Sequence, residues 1–136
     1  METESVGLVE RMSTPNGVEF DDASIRGNVS RILVRDSGTL HVVKVRDVEW
    51  VDACGNYVEI HTGGRTFLQR ETLSGIARRL SSRQFVRIHR SMMVNTHKVR
   101  EVRTLAKGQY SLTMASGVEL PTQRPLHEIH DMVMAG

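Results

Sequence analysis

From Arg31 to Thr122 the chain is written in short runs where aliphatic and β-branched residues alternate with polar ones, cut at close intervals by glycine-bearing turns. Alternation with period two places successive side chains on opposite faces of a strand, and it is incompatible with a helical bundle, whose apolar residues must recur every three to four positions. "RILVRD" and "LHVVKV" flank Ser37-Gly38 and predict a hairpin. "VEWVDA", "YVEIHT" and "TFLQR" follow as two further hairpins, with Gly55 and Gly63-Gly64 at positions suited to positive φ. "FVRI", "MMVN", "VREVRTL", "QYSLTMA" and "VELPT" continue the pattern, with turns at Gly108 and Gly117.

Two segments break the alternation. In "RETLSGIARRL", Leu73, Ile76, Ala77 and Leu80 make one apolar helical stripe. Thr72 is placed to cap its start, and Arg78 and Arg79 lie in its last turn, where cations suit the dipole. A closing helix is predicted from Pro125, presenting Leu126, Ile129 and Val133. The fold class expected is mainly β, with antiparallel pairing and about two short helices.

A chain of 136 residues is expected to be one domain, or one domain plus a tail, long enough to bury a core without staples. No apolar run reaches membrane-spanning length, and "METESVGLVE" lacks the basic-then-apolar order of a signal peptide, so no membrane partner is expected. The single Cys54 allows no internal disulfide and by itself makes no structural zinc site, which points to the reducing cytoplasm.

Charge is divided unevenly. Residues 1–30 carry two basic and six acidic side chains, a balance of −4, and read as a flexible acidic leader. Residues 31–136 carry sixteen basic and ten acidic side chains, a balance of +6, together with all six histidines. A basic domain behind an acidic leader suits a polyanionic partner, although sixteen basic residues need not share one face.

Catalytic patterns are weak. Ser91 lies two residues from His89 with no third orienting group, Cys54 has no neighbour that marks an activated thiolate, and no carboxylate pair stands out, so no enzyme is expected. "HEIHD" sets His127 and His130 three apart beside Asp131, half a metal site at most and more simply a solvated helix face; no cofactor or metal is expected. Phosphate-binding glycine loops and a free recognition helix are both missing, and aromatic residues are too few for a base-stacking platform.

The polar turns remain: "CGNY", "IHRS", "NTHK" and "TQR". In "QFVRIHRSMMVN", Arg90 falls where the alternation calls for an apolar residue, a burial costing several kcal/mol unless the strand breaks at His89-Arg90-Ser91. Broken there, the chain offers a guanidinium, whose planar fork matches two acceptors of guanine in the major groove. On composition alone a protein-interaction module, with DNA contact secondary or masked by the leader, accounts for these features as well.

"VRDVEWVDACGNYVEIHTGGRTFLQRETLSGIARRLSSRQFVRIHRSMMVNTHKVREVRTL", followed by "GQYSLTMASGVELPTQR", resembles the LytTR DNA-binding domain of bacterial transcriptional regulators, from about Arg31 to Met134. Five markers occur in family order: the strand with an acidic residue before "GNY", "RETL", "FVRIHRS", "VN" and "LP..R". The resemblance implies an elongated set of short antiparallel sheets with small helices. It further implies binding to duplex DNA through inter-strand loops, as two copies on a repeated site. The matching positions are Asn56 and Tyr57 of "GNY", Arg90 of "HRS" with His89 in support, and Arg124 of "LPTQR"; apart from the resemblance, Lys98, Arg87 and Arg100 are phosphate candidates that read equally as solvated strand side chains. The late motif departs from the family's Ser-Arg, since Gln123 precedes Arg124, which bears on sequence preference. Such domains usually serve as response-regulator outputs behind a receiver, and thirty residues cannot hold one. Control by expression level or by a regulatory protein partner is therefore among the expectations.

Overall fold

A computed structural model describes residues 29–135, so the expected leader lies outside the described residues apart from its last two positions. Strands β1 (Arg31–Asp36) and β2 (Thr39–Lys44) form a two-stranded hairpin. Its turn has Ser37 at φ 50° and Gly38 at φ 83°, the double positive φ that a two-residue hairpin turn needs to match strand twist. After a 3-10 turn at Val45–Asp47 come β3 (Val48–Cys54), β4 (Tyr57–Thr62) and β5 (Thr66–Gln69), then helix α1 (Leu73–Ala77). Strands β6 (Phe85–His89) and β7 (Met92–Asn95), a 3-10 turn at Thr96–Lys98, β8 (Val99–Ala106), β9 (Gln109–Met114), β10 (Glu119–Thr122) and helix α2 (Leu126–Ala135) complete the chain. The predominance of antiparallel strands over two short helices agrees with the expected fold class.

A five-stranded sheet in the order β5-β4-β3-β7-β6 lies at the centre. Its alternation serves two cores at once. On one face Val51, Val58, Ile60, Phe85 and Met93 pack with Ile32, Val34 and Val43 of the β1–β2 hairpin and with Leu73, Ile76 and Leu80. On the other, Ile88, Val94 and Trp50 meet Leu112, Met114 and Leu120 of the β8–β9–β10 sheet, with Ile129, Met132 and Val133 of α2. Val51, Ile60 and Met93 are fully buried, each worth roughly 1.5–3 kcal/mol of apolar transfer.

Polar anchors tie the layers together. The Asn95 amide, fully buried, donates to Val48 O at 2.8 Å, and its oxygen accepts from His97 N at 2.9 Å, capping the 3-10 turn. Ser116 donates to the buried Glu49 carboxylate at 2.7 Å, joining β3 to the β9–β10 turn.

Three details differ from the sequence expectations. Helix α1 stops at Ala77 although the apolar stripe runs to Leu80; Ser74-Gly75 lowers helix propensity, and Leu80 reaches the core from a turn instead. Thr72 does cap it, accepting from Gly75 N at 2.9 Å. Arg79 ion-pairs with Glu71 rather than sitting at a helix end. In α2, Ile129 is buried and Val133 packs against the same core, whereas Leu126 stays 52% exposed. No helix among the described residues is long and apolar enough to cross a membrane.

Candidate nucleic-acid interface

The "CGNY" and "IHRS" breaks are two-residue turns at the same end of the central sheet. Because β3 and β7 run antiparallel with Asp52 opposite Met92, the end of β3 meets the start of β7. Ala53 N donates to Ser91 O at 2.8 Å, which sets Gly55-Asn56 and Arg90-Ser91 side by side. Gly55 adopts φ 62°, and Asn56 and Tyr57 are exposed beside it.

Arg90 is not on a strand. Strand β6 ends at His89, and Arg90 occupies the turn with its side chain exposed. Among the described residues its guanidinium has no hydrogen-bond or ion-pair partner, while its carbonyl accepts from Arg87 Nη1 at 2.9 Å. Arg87 Nη2 also donates to Ser74 Oγ at 3.0 Å. Arg87, expected as a phosphate ligand, is thus engaged in holding this turn against α1. Ile88, left unpaired at the register shift between Arg87 and His89, packs into the second core.

His89 has a defined hydrogen-bond geometry. Its Nδ1 accepts from Ser91 N at 3.2 Å and lies 2.9 Å from Ser91 Oγ, which places the ring proton of the neutral form on Nε2. The exposed ring then offers an outward N–H donor.

The third contributor arrives from the β8–β9–β10 sheet. Thr122 Oγ1 donates to Ile88 O at 3.2 Å and accepts from Arg124 N at 3.2 Å. The same hydroxyl therefore fixes both the end of β6 and the backbone of Arg124. His89, Gln123 and Arg124 line one hollow of about 540 Å³ with Ile88, Tyr110 and Thr122. The Arg124 guanidinium donates to Glu128 Oε1 at 3.0 Å, one turn along α2.

Asn56, Tyr57, His89, Arg90 and Arg124 are accordingly gathered at one end of the molecule. Lys98 is not. It follows the far end of β7 and lines a separate hollow with Lys44, Asp47 and Glu49. Arg100 donates to Ala115 O at 3.2 Å, on the β9–β10 turn. One residue passed over in the sequence joins the cluster: Arg70. Val58 pairs with Gln69, so the exposed Arg70, one residue past the end of β5, leaves the sheet at the end where β4 begins with Tyr57. The signal was the position of Arg70 directly after the strand-like "TFLQ", at the same end as "GNY" once the hairpin is closed.

Among the described residues His127 and His130 belong to no group of three metal-type donors; His130 lies 3.6 Å from Asp131, both strongly exposed. The metal-type donor cluster among the described residues is Asp52, Glu59 and His61, on β3 and β4.

Residues 38–131 match the family model of the LytTr DNA-binding domain. The chain is 28% identical over 83 residues, 61% of its length, to the sensory transduction protein LytT of Bacillus subtilis. It is 27% identical over 85 residues, 62% of its length, to the transcriptional regulatory protein LytR of Staphylococcus aureus. The match spans 34% of the former and 35% of the latter. A solved LytTr DNA-binding domain from Bacillus cereus superposes with a TM-score of 0.68 at 18% identity, over 77% of this chain and 97% of that one.

Proposed function

The chain belongs to the LytTR DNA-binding domain family, and from that premise we propose that it is a transcriptional regulator reading duplex DNA sequence-specifically. The reading elements are the Gly55-Asn56 and Arg90-Ser91 turns and the segment Gln123-Arg124. One observation carries this: three chain segments distant in sequence converge at one end, and there the Arg90 guanidinium has no protein partner among the described residues. A free planar fork on a rigid turn suits bidentate contact with guanine. Asn56, Tyr57, Arg70 and the His89 Nε2–H donor suit phosphates or base edges. Two copies bind a repeated site, one per repeat. Lys98, at the other end, lies outside this face and would reach only a separate stretch of phosphate.

Residues 1–30 act as an acidic leader to a DNA-binding unit of residues 31–136. Opposite charge lets the leader compete with DNA for the basic end. Deleting it then tightens DNA binding and steepens its salt dependence; unchanged binding removes the covering role.

Selection from a random duplex library tests the main reading. An enriched repeat gives the operator, and its spacing gives the number of copies bound. No enrichment at low salt overturns the reading.

A protein-contact role draws on a different surface. Leu40 and Val42 are 49% and 58% exposed on the outward face of the β1–β2 hairpin, while Val43 between the layers is buried. Replacing both with serine leaves DNA affinity intact and abolishes regulation in cells if a protein partner docks there.

A further inference from the structure

We propose that Asp52, Glu59 and His61 bind a first-row divalent cation of the zinc type, independently of the DNA-binding reading. The three donors come from adjacent strands of one hairpin. Glu59 and His61 are two apart on β4 and share a face, and Asp52 is the direct cross-strand partner of Glu59. His61 Nε2 stands 3.0 Å from Asp52 Oδ1 and 3.5 Å from Glu59 Oε1, and all three donor atoms lie within 4.8 Å of one another. Ligands about 2.1 Å from one ion are separated by roughly 3.0 Å at a right angle and about 3.4 Å at a tetrahedral angle. The two separations around Nε2 match those spacings, and the third, between the two carboxylates, falls within 4.8 Å and closes by side-chain rotation.

Charge points the same way. Like charges directly opposite one another across an antiparallel pair are unfavourable. Asp52 and Glu59 hold that relationship, and among the described residues neither carboxylate has a partner other than His61. A hydrogen bond from Nε2–H satisfies Asp52 alone; a dication between the three groups offsets both carboxylates together.

The imidazole is also held as a ligand requires. Its outer nitrogen, Nδ1, lies 3.0 Å from Thr66 Oγ1. With an ion in place of the Nε2 proton, donation to that hydroxyl keeps the proton on Nδ1 and leaves the Nε2 lone pair for the metal, the role outer-sphere partners play at metal-bound histidines. Trp50 stacks on the ring at 4.1 Å with 14° between planes, fixing its orientation. The side chains are 16% (His61), 26% (Asp52) and 34% (Glu59) exposed, so an ion and the waters completing its coordination have a way in. One imidazole with two carboxylates suits zinc and its first-row neighbours better than a purely oxygen-seeking cation.

The test uses the purified full chain, stripped of metal with a chelator and titrated with zinc in a calorimeter. One equivalent is taken up, and the thermal midpoint rises on binding. The near-isosteric Asp52→Asn and Glu59→Gln variants, each checked for folding by circular dichroism, lose that uptake. Thr66→Val keeps it with affinity weakened about tenfold or more. A His127→Ala/His130→Ala variant and a Cys54→Ser variant bind as the parent does. Absence of stoichiometric uptake overturns the proposal. So does uptake that survives Asp52→Asn and Glu59→Gln, or that disappears with His127 and His130 or with Cys54.

Discussion

Arg87 donates through Nη1 to the carbonyl of Arg90 at 2.9 Å while its Nη2 reaches Ser74 of α1 at 3.0 Å. One arginine therefore splints the turn on which the other stands. The two are three residues apart, both cationic and both near the proposed DNA face, yet their geometry gives them different work.

Substituting each separates those roles. Arg90→Ala costs about 1–3 kcal/mol of specific binding and relaxes base preference at one operator position, with folding stability within about 0.5 kcal/mol of the parent. Arg87→Ala weakens binding by loosening the turn but leaves the slope of log affinity against log salt unchanged, because no phosphate contact is lost. Fluorescence-anisotropy titrations over a salt series measure both. Parent-like binding by Arg90→Ala removes it from the interface.

Glu128 restrains Arg124 and adds a negative charge beside the same face. An exposed pair of this kind is worth only about 0–1 kcal/mol to folding. Glu128→Gln consequently leaves the thermal midpoint almost unchanged and tightens DNA binding several-fold, most strongly at low salt. Weaker binding in this variant means that the pair serves to aim Arg124 and not to hold it back.

Asn95 bridges two strands from a fully buried position. Asn95→Ala removes the cap on the 3-10 turn and leaves the buried Val48 O without its amide partner, which costs about 1–3 kcal/mol for that buried carbonyl. Urea denaturation reads the loss as a lower midpoint at unchanged slope. A parent-like midpoint shows that these groups find other partners.

Glu119 accepts a hydrogen bond from Arg103, and that bond, reinforced by the guanidinium charge, holds its carboxyl below the ordinary value of 4.5. A depressed folded value means stability present above the ordinary carboxylate range and lost as pH falls through the lowered one. The pair is open to solvent, so the effect is small. The thermal midpoints of the parent and Glu119→Gln differ at neutral pH and converge on acidification below 4.5. A gap that widens with acid contradicts this assignment.

Much of the fold was legible in the chain because period two and turn chemistry are local. Ser37-Gly38 and Gly55-Asn56 fix hairpins whose registers follow by counting, and the misplaced Arg90 marks the strand break where it occurs. What escaped depends on distance and direction. Lys98 is near Arg90 in sequence, but the four residues of β7 carry the chain roughly 13 Å away at about 3.3 Å per residue. The Asp52–Glu59–His61 group needed the hairpin register applied to polar positions rather than to the core. Leu80 fitted a helical stripe, yet Ser74-Gly75 and the early stop of α1 let a turn deliver it instead.

The central sheet lends one face to each core, so neighbouring residues such as Trp50 and Val51 answer to different halves of the molecule. Neither half can melt without exposing apolar surface on strands that the other half uses. Amide hydrogens along β3 and β7 should accordingly exchange with solvent only when the whole described unit opens, whereas those of the outer β1–β2 hairpin and of β10 escape through local fraying. The turns that carry Arg90 and Asn56 thus project from the slowest-exchanging part of the chain, and a DNA duplex meets a surface whose backbone is already set before contact.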